Sequence, residues 1–282
     1  MIRIISDSTC DLSKELIEKY NITIAPLHIV LGENEFLDGV NMTPDDIYAW
    51  SDANNATPKT SAVSIEEAVE VIKQFTDKGE QVIIFTIASG MSTTNNVFRL
   101  AVGELEVEEQ VRIIDSANLS TGVGLQVIEA VILAEKGKTL DEIVGAIEEI
   151  TPKVRASFVV DTLVYLHRGG RCSGLAALAG GMLKLHPKIV VKNGVMGPDK
   201  KYRGKMNSVI INYAKEMEEE LKNARKERVF ITHSGCEQEI IDSVREYLES
   251  LNYFEEILVT RAGGVVSSHC GPGTLGVLFI EK

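Results

Sequence analysis

The stretch QVIIFTIASGMSTTNN, residues 81–96, carries the signature on which the fold turns. Gln81 to Thr86 is apolar and β-branched and reads as a buried strand. The segment after it breaks into small and hydroxylated residues, and a helix is expected after Ser92. A strand that runs through a short polar loop into a helix is the repeating unit of a parallel sheet covered by helices.

The flanking sequence repeats the unit. Arg3 to Ser6 reads as a strand, with Asp11 or Ser13 able to cap a helix that ends near Lys19. Ile22 to Leu31 reads as one strand. Thr43-Pro44-Asp45-Asp46 marks a helix start with proline at the first helical position. Ser64-Ile65-Glu66-Glu67 is a capping box. Val111 to Ile114 reads as a strand, Asn118 to Lys136 as a helix, and Thr139 to Ile150 as another helix. In such folds ligands sit beyond the carboxyl ends of strands. That rule points to Ser6–Asp11, to 88–95 and to 115–124.

The second half reads differently. Strands are expected at Ala156–Val160, Lys188–Lys192, Val195–Met196, Arg228–His233, Ile257–Arg261 and Leu275–Ile280. Leu163 to Leu166 leads into Arg168-Gly169-Gly170-Arg171, followed by a small-residue helix at Leu175–Leu183. Helices are expected at Ser208–Lys226 and Glu237–Ser250. Asn193-Gly194 is a strong hairpin signal. A hairpin within an α/β pattern suggests a mixed sheet. The expected architecture is therefore α/β in two domains, residues 1–152 with a parallel sheet and residues 153–282 with a mixed one, divided near Thr151-Pro152.

Composition narrows the functions. The 282 residues are 44% hydrophobic and 25% charged, with a formal net charge of -12. So acidic a surface repels phosphate backbones, and no nucleic-acid partner is expected. An anion site in such a chain must be built locally, from dipoles and hydroxyls. No run of 18 apolar residues occurs, Glu129 interrupting the nearest approach, and no signal-peptide core is visible. The expectation is a cytoplasmic protein, monomeric, with four free thiols and no integral membrane segment.

Ser89, Ser92, Thr93 and Thr94 place four hydroxyls where a helix's first N–H groups are unpaired. That arrangement suits an anion such as a carboxylate; simple helix capping by one serine would use the same residues. Gly90-x-Ser92-x-Thr94 is one glycine short of the hydrolase elbow, and a serine esterase using Ser92 and His269 is the alternative enzyme reading. Thr57 to Ser64 reads as a hydroxyl-rich loop in which Thr60 and Ser61 have no capping duty. Ser120-Thr121-Gly122-Val123-Gly124 lacks the third glycine of a dinucleotide fingerprint and reads as tight helix packing. His233-x-x-Cys236 and His269-Cys270 lack partner pairs at metal-binding spacing, so no metal is expected. His269, among glycines and a proline, reads as a loop side chain. Arg171 and Arg203 are the loop cations able to reach a carboxylate.

Taken together, these segments resemble the DegV family of bacterial fatty-acid-binding proteins. The matching pieces are Ser6-Asp7-Ser8-Thr9-Cys10-Asp11-Leu12, Thr57-Pro58-Lys59-Thr60-Ser61 and Ser89-Gly90-Met91-Ser92. Asp115-Ser116 with Gly122-x-Gly124, Arg168-Gly169-Gly170-Arg171 and His269-Cys270-Gly271-Pro272-Gly273 complete the set. The resemblance implies two α/β domains with a long-chain fatty acid such as palmitate in a tunnel between them. It implies a carboxylate held by Thr60 and Ser92, with His269 and Arg203 nearby and Ser61 and Thr93 around them, and no further cofactor. It also implies a non-catalytic role, with a separate fatty-acid kinase as the partner that phosphorylates the presented carboxylate. The chain departs from the family pattern at Ala62-Val63, at Thr93-Thr94-Asn95 and at His186, all beside the implied head-group site.

Overall fold

A computed structural model of the chain describes residues 1–172 and 185–282. The small-residue helix expected at Leu175–Leu183 lies outside the described residues. In chain order the first half contains β1 (Ile2–Asp7), α1 (Lys14–Lys19), β2 (Thr23–Ala25), β3 (His28–Leu31), β4 (Asn34–Leu37) and α2 (Pro44–Asn54). It continues through β5 (Lys59–Ser61), α3 (Ile65–Thr76), β6 (Gln81–Thr86), α4 (Thr94–Leu105), β7 (Val111–Asp115), α5 (Thr121–Glu135) and α6 (Leu140–Ile150). The rest comprises β8 (Val154–Val159), α7 (Val164–Gly169), β9 (Leu185–Lys192), β10 (Val195–Arg203), α8 (Met206–Glu216) and α9 (Glu218–Lys222). Last come β11 (Arg228–His233), α10 (Gln238–Ser250), β12 (Glu256–Arg261), α11 (Gly264–Cys270) and β13 (Leu275–Ile280).

The fold is α/β with a parallel and a mixed sheet. Strands β2-β1-β6-β7 form the parallel sheet. Strands β10-β9-β8-β13-β11-β12 form the mixed one, in which only β11 and β12 run parallel. Thr43, Ser64 and Thr139 each close a capping box, satisfying the first N–H groups of α2, α3 and α6. Ser13, not Asp11, caps α1. Asn193 and Gly194 both take positive φ, 51° and 75°, as the tight β9–β10 turn requires.

Three local expectations are corrected. Ile22–Leu31 is two strands, because Pro26 has no N–H to continue the ladder. β2 stays in the parallel sheet, while β3 turns away to form an antiparallel three-stranded sheet, β4-β3-β5. Lys59–Ser61 is accordingly a strand and not a loop. His269 lies in the last turn of α11, a helix the sequence does not announce.

Helix α5 ties the sheets together. It packs against β1 and β6 and also against β8 and β13. Its residues from Thr121 to Ile128 are all buried, as befits a helix apolar on every face. The glycines permit this closeness: a Cβ on Gly124 would lie 2.7 Å from Leu12 and 2.8 Å from the Cys10 carbonyl oxygen. The charge that interrupts the apolar run, Glu129, accepts a 2.6 Å hydrogen bond from Arg228 on β11. One apolar core therefore runs from Ile4 and Phe85 through α5 to Ala156, Phe230 and Leu278.

Candidate functional site

Between the carboxyl end of β6 and the mixed sheet lies a cavity of about 430 Å³. Its walls come from both halves of the chain, and each wall is pinned by backbone that the neighbouring strands hold.

The loop after β6 supplies Ser89, Gly90, Met91, Ser92 and Thr93. Asp7 at the end of β1 accepts from the Ile87 N–H at 2.8 Å. Asp115 at the end of β7 accepts from the Ser89 N–H at 3.2 Å and the Ala117 N–H at 2.9 Å. The loop is thus clamped on both sides by carboxylates that follow the parallel strands. Ser92 Oγ accepts from the Thr94 N–H at 3.3 Å and sits 2.8 Å from Thr94 Oγ1. It does part of the capping of α4 and still faces the cavity.

Strand β5 brings in Thr60 and Ser61, and Ala62 follows just past its end. Its register against β3, with Ile29 opposite Thr60, fixes where Thr60 stands. Thr60 Oγ1 lies 2.8 Å from Nε2 of His269 on α11. The imidazole is packed against backbone: a Cβ on Gly169 would fall 2.3 Å from His269 Nδ1. Nδ1 is buried with no hydrogen-bond partner among the described residues. Desolvation, reinforced by the Arg171 guanidinium, pushes the His269 pKa down to about 4, so the ring is neutral at pH 7.

The cation at the cavity is Arg171, which donates to the Gly169 carbonyl at 2.7 Å and to the Met91 carbonyl at 3.5 Å. Arg203 is exposed at the end of β10, opposite Leu185, and does not line the cavity. His186 also stays outside, with Nε2 3.2 Å from the Gly204 carbonyl oxygen. Thr60, Ser61, Ser92, Thr93 and His269 all line this cavity, as does Arg171, whereas Arg203 does not. The signal for Arg171 was its own motif: two glycines let the chain turn tightly beside His269, Gly170 at φ 66°.

No Asp or Glu lines the cavity, and Arg171 is its one charged side chain among the described residues. The other walls are apolar, including Ile87, Met91, Leu119, Met196 and Val266, all buried. A second void of about 30 Å³ lies beyond Leu119, Val266 and Cys270, which line both, and is also lined by Phe158, Leu278, Ser120, Thr232, His233, Ser234 and Thr274. The hydroxyls, His269 and Arg171 can neutralise an anion, and the apolar walls can take hydrocarbon.

The esterase geometry is not formed. The Ser92 hydroxyl is paired with Thr94 and His269 Nε2 with Thr60, so no hydrogen bond joins nucleophile to base. No carboxylate orients Nδ1. Among the described residues, no group of His, Cys, Asp or Glu could hold a metal ion, and no helix is long and apolar enough to cross a membrane.

A family model described as "Uncharacterised protein, DegV family" matches residues 1–282. A DegV domain-containing protein of Clostridium perfringens is 35% identical over 283 residues, covering 100% of this chain and 99% of the relative. Among solved structures, a DegV family protein from Thermus thermophilus, described for its fatty-acid binding, is 29% identical with a TM-score of 0.91; the match covers 100% of this chain and 99% of that one. A stearic-acid-binding protein from Eubacterium ventriosum is 30% identical with a TM-score of 0.87, again over 100% and 99% of the two chains.

Proposed function

Because this chain belongs to the DegV family, we propose that it binds a long-chain fatty acid non-covalently, with the carboxylate on Thr60 and Ser92 and the tail among the apolar walls. The observation that carries this reading is a single cavity whose lining combines hydroxyls, imidazole and guanidinium with hydrocarbon.

Burying each methylene contributes about 0.8 kcal/mol, so a sixteen-carbon tail supplies on the order of 10 kcal/mol gross. Ordering the ligand and its surroundings consumes part of that. The head group must be hydrogen-bonded, or its desolvation would cancel most of the gain. A neutral His269 with its proton on Nε2 donates to Thr60 Oγ1 and leaves the Thr60 proton for the carboxylate. The opposite tautomer would bury an N–H at Nδ1 without an acceptor. Arg171 supplies charge compensation in place of Arg203.

The role is one of binding and presentation, not catalysis. Ser89, Gly90 and Thr93 are exposed, so the cavity reaches solvent there. A carboxylate held there by hydroxyls keeps an oxygen available to a separate fatty-acid kinase acting from outside. Purified protein should carry fatty acid that native mass spectrometry detects. Thr60→Val and Ser92→Ala should each weaken palmitate binding roughly tenfold or more, as loss of a hydrogen bond to a charged group does. Lipid-free protein together with unchanged affinity in the double variant would overturn the proposal.

A further inference from the structure

The Ser6–Asp11 motif does not line the cavity, yet the chain places it against the helix that does. Helix α11 is seven residues long and starts at two glycines, with no acidic residue of its own in the first turn and no side chain to cap it. Its first N–H groups are met by aspartate side-chain oxygens from the other half of the chain. Gly263 donates to Asp11 Oδ1 at 2.7 Å, and Gly264 donates to Asp38 Oδ1 at 2.6 Å. The second oxygen of each acid is also held: Ser120 donates to Asp11 Oδ2 at 2.5 Å and Ser8 to Asp38 Oδ2 at 2.8 Å. Ser8 Oγ in turn accepts from the Leu27 N–H at 3.2 Å. The approach demands glycine, since a Cβ on Gly264 would lie 2.5 Å from Ile29 Cδ1 and 2.9 Å from Asp38 Oδ1.

We infer that Asp11 and Asp38, the latter braced by Ser8, are positioning residues for the ligand head group. They cap α11 from outside and so set where His269 meets Thr60. The inference rests on the fatty-acid reading for its ligand, though not for its geometry. A short helix is rigid, with a rise of about 1.5 Å per residue, so a shift at Gly264 is carried to His269 little more than one turn away. The same helix presents Val265, Val266, His269 and Cys270 to the cavity. With Nδ1 of His269 unpartnered among the described residues, the imidazole's one hydrogen bond is to Thr60, and the packing of α11 and of Gly169 holds the rest of the ring.

The test compares the full-length protein with Asp38→Ala, Asp38→Asn and the milder Ser8→Ala. Two quantities are read: the NMR signature of the His269 imidazole without lipid, and palmitate affinity. Asp38→Ala should free the imidazole from its hydrogen bond and weaken palmitate binding about tenfold, the scale of a lost helix cap. Asp38→Asn keeps an oxygen for the Gly264 N–H and should restore both. Ser8→Ala should move both in the direction of Asp38→Ala by less, and it guards against a variant that fails to fold. Retention of the His269 signature and of affinity in Asp38→Ala would overturn the inference, as would an Asp38→Asn protein that behaves like Asp38→Ala. If the wild type binds no palmitate while Asp38→Ala still frees His269, the ligand reading fails and the positioning role stands.

Discussion

Gly90 and Gly194 meet where the β9–β10 hairpin reaches the loop that bears Ser92. A Cβ on Gly90 would lie 2.8 Å from the Gly194 carbonyl oxygen and 3.3 Å from Val195 Cγ1. The glycine between Ser89 and Met91 is therefore a contact requirement. It lets a turn from the mixed sheet close against the loop that follows β6, and Met196, next in the hairpin, lines the cavity.

Gly90→Ala should accordingly push the hairpin away from the loop. The obstructing atom is backbone, which cannot rotate aside, so the cost should be about 1–3 kcal/mol, as for other overpacked sites. Denaturant unfolding should show a lower midpoint, and palmitate titration a weaker affinity. Gly197→Ala on the same hairpin, where an added Cβ meets nothing within 4 Å, should change neither by a comparable amount.

The capping acids also predict a pH dependence. Burial raises Asp11 to about 8 against the opposing hydrogen bonds from Ser120 and Gly263, and burial raises Asp38 too. A carboxyl whose folded pKa lies above its unfolded value makes the folded state the better proton binder. Its stabilisation is complete below the unfolded pKa near 3.8 and is lost as pH rises through about 8. Between pH 6.5 and 8 the wild-type stability should therefore fall, by up to roughly 1.4 kcal/mol per pH unit for one proton. Asp11→Asn, which keeps an acceptor for the Gly263 N–H, should flatten that slope in thermal melts. An unchanged slope would show that Asp11 is ionised in the fold.

His269 carries the opposite sign. Its folded pKa of about 4 lies below the ordinary value, so the fold disfavours the imidazolium. The associated stability is present above about pH 6.5 and lost as pH falls through about 4. Nitrogen-15 NMR should find His269 neutral at pH 5.5, with the proton on Nε2. A neutral ring with its proton on Nδ1 would remove the donor arrangement proposed for Thr60, and a charged ring would contradict the lowered pKa.

What the sequence shows of this architecture follows from how local each signal is. Thr43, Ser64 and Thr139 announce their helices because cap and capped residues lie within one turn. The Ser92 loop is readable because strand, loop and helix are consecutive. Helix α11 is not, because its caps, Asp11 and Asp38, lie more than 220 positions away in the chain. Thr60 and Ser61 looked like loop residues because a three-residue strand has no periodicity to detect, and its partner β3 was hidden beyond Pro26. Arg171 and Arg203 are chemically equivalent in sequence; it is the tertiary structure that puts Arg171 at the cavity, where it donates to the Gly169 and Met91 carbonyls, and leaves Arg203 outside it.

The apolar walls yield a prediction about chain length. Leu119, Val266 and Cys270 separate the main cavity from the smaller void that Phe158 and Leu278 also line. All three belong to one buried apolar cluster with Phe158 and Ala262, and a tail that extends this way would run along that side of a void whose other side carries Ser120, Thr232, His233, Ser234 and Thr274. Val266→Phe should fill the passage. Eight- to ten-carbon acids, which need less of it, should keep their affinity, while palmitate should lose the contribution of the methylenes that no longer fit. Exclusion of four methylenes would cost about 3 kcal/mol, on the order of a hundredfold in affinity. Leu119→Ala should act in the reverse sense and shift the preference toward longer acids. A titration series across chain lengths distinguishes these outcomes from a general loss of stability, which would weaken every acid alike. Equal losses for short and long acids in Val266→Phe would place the tail elsewhere.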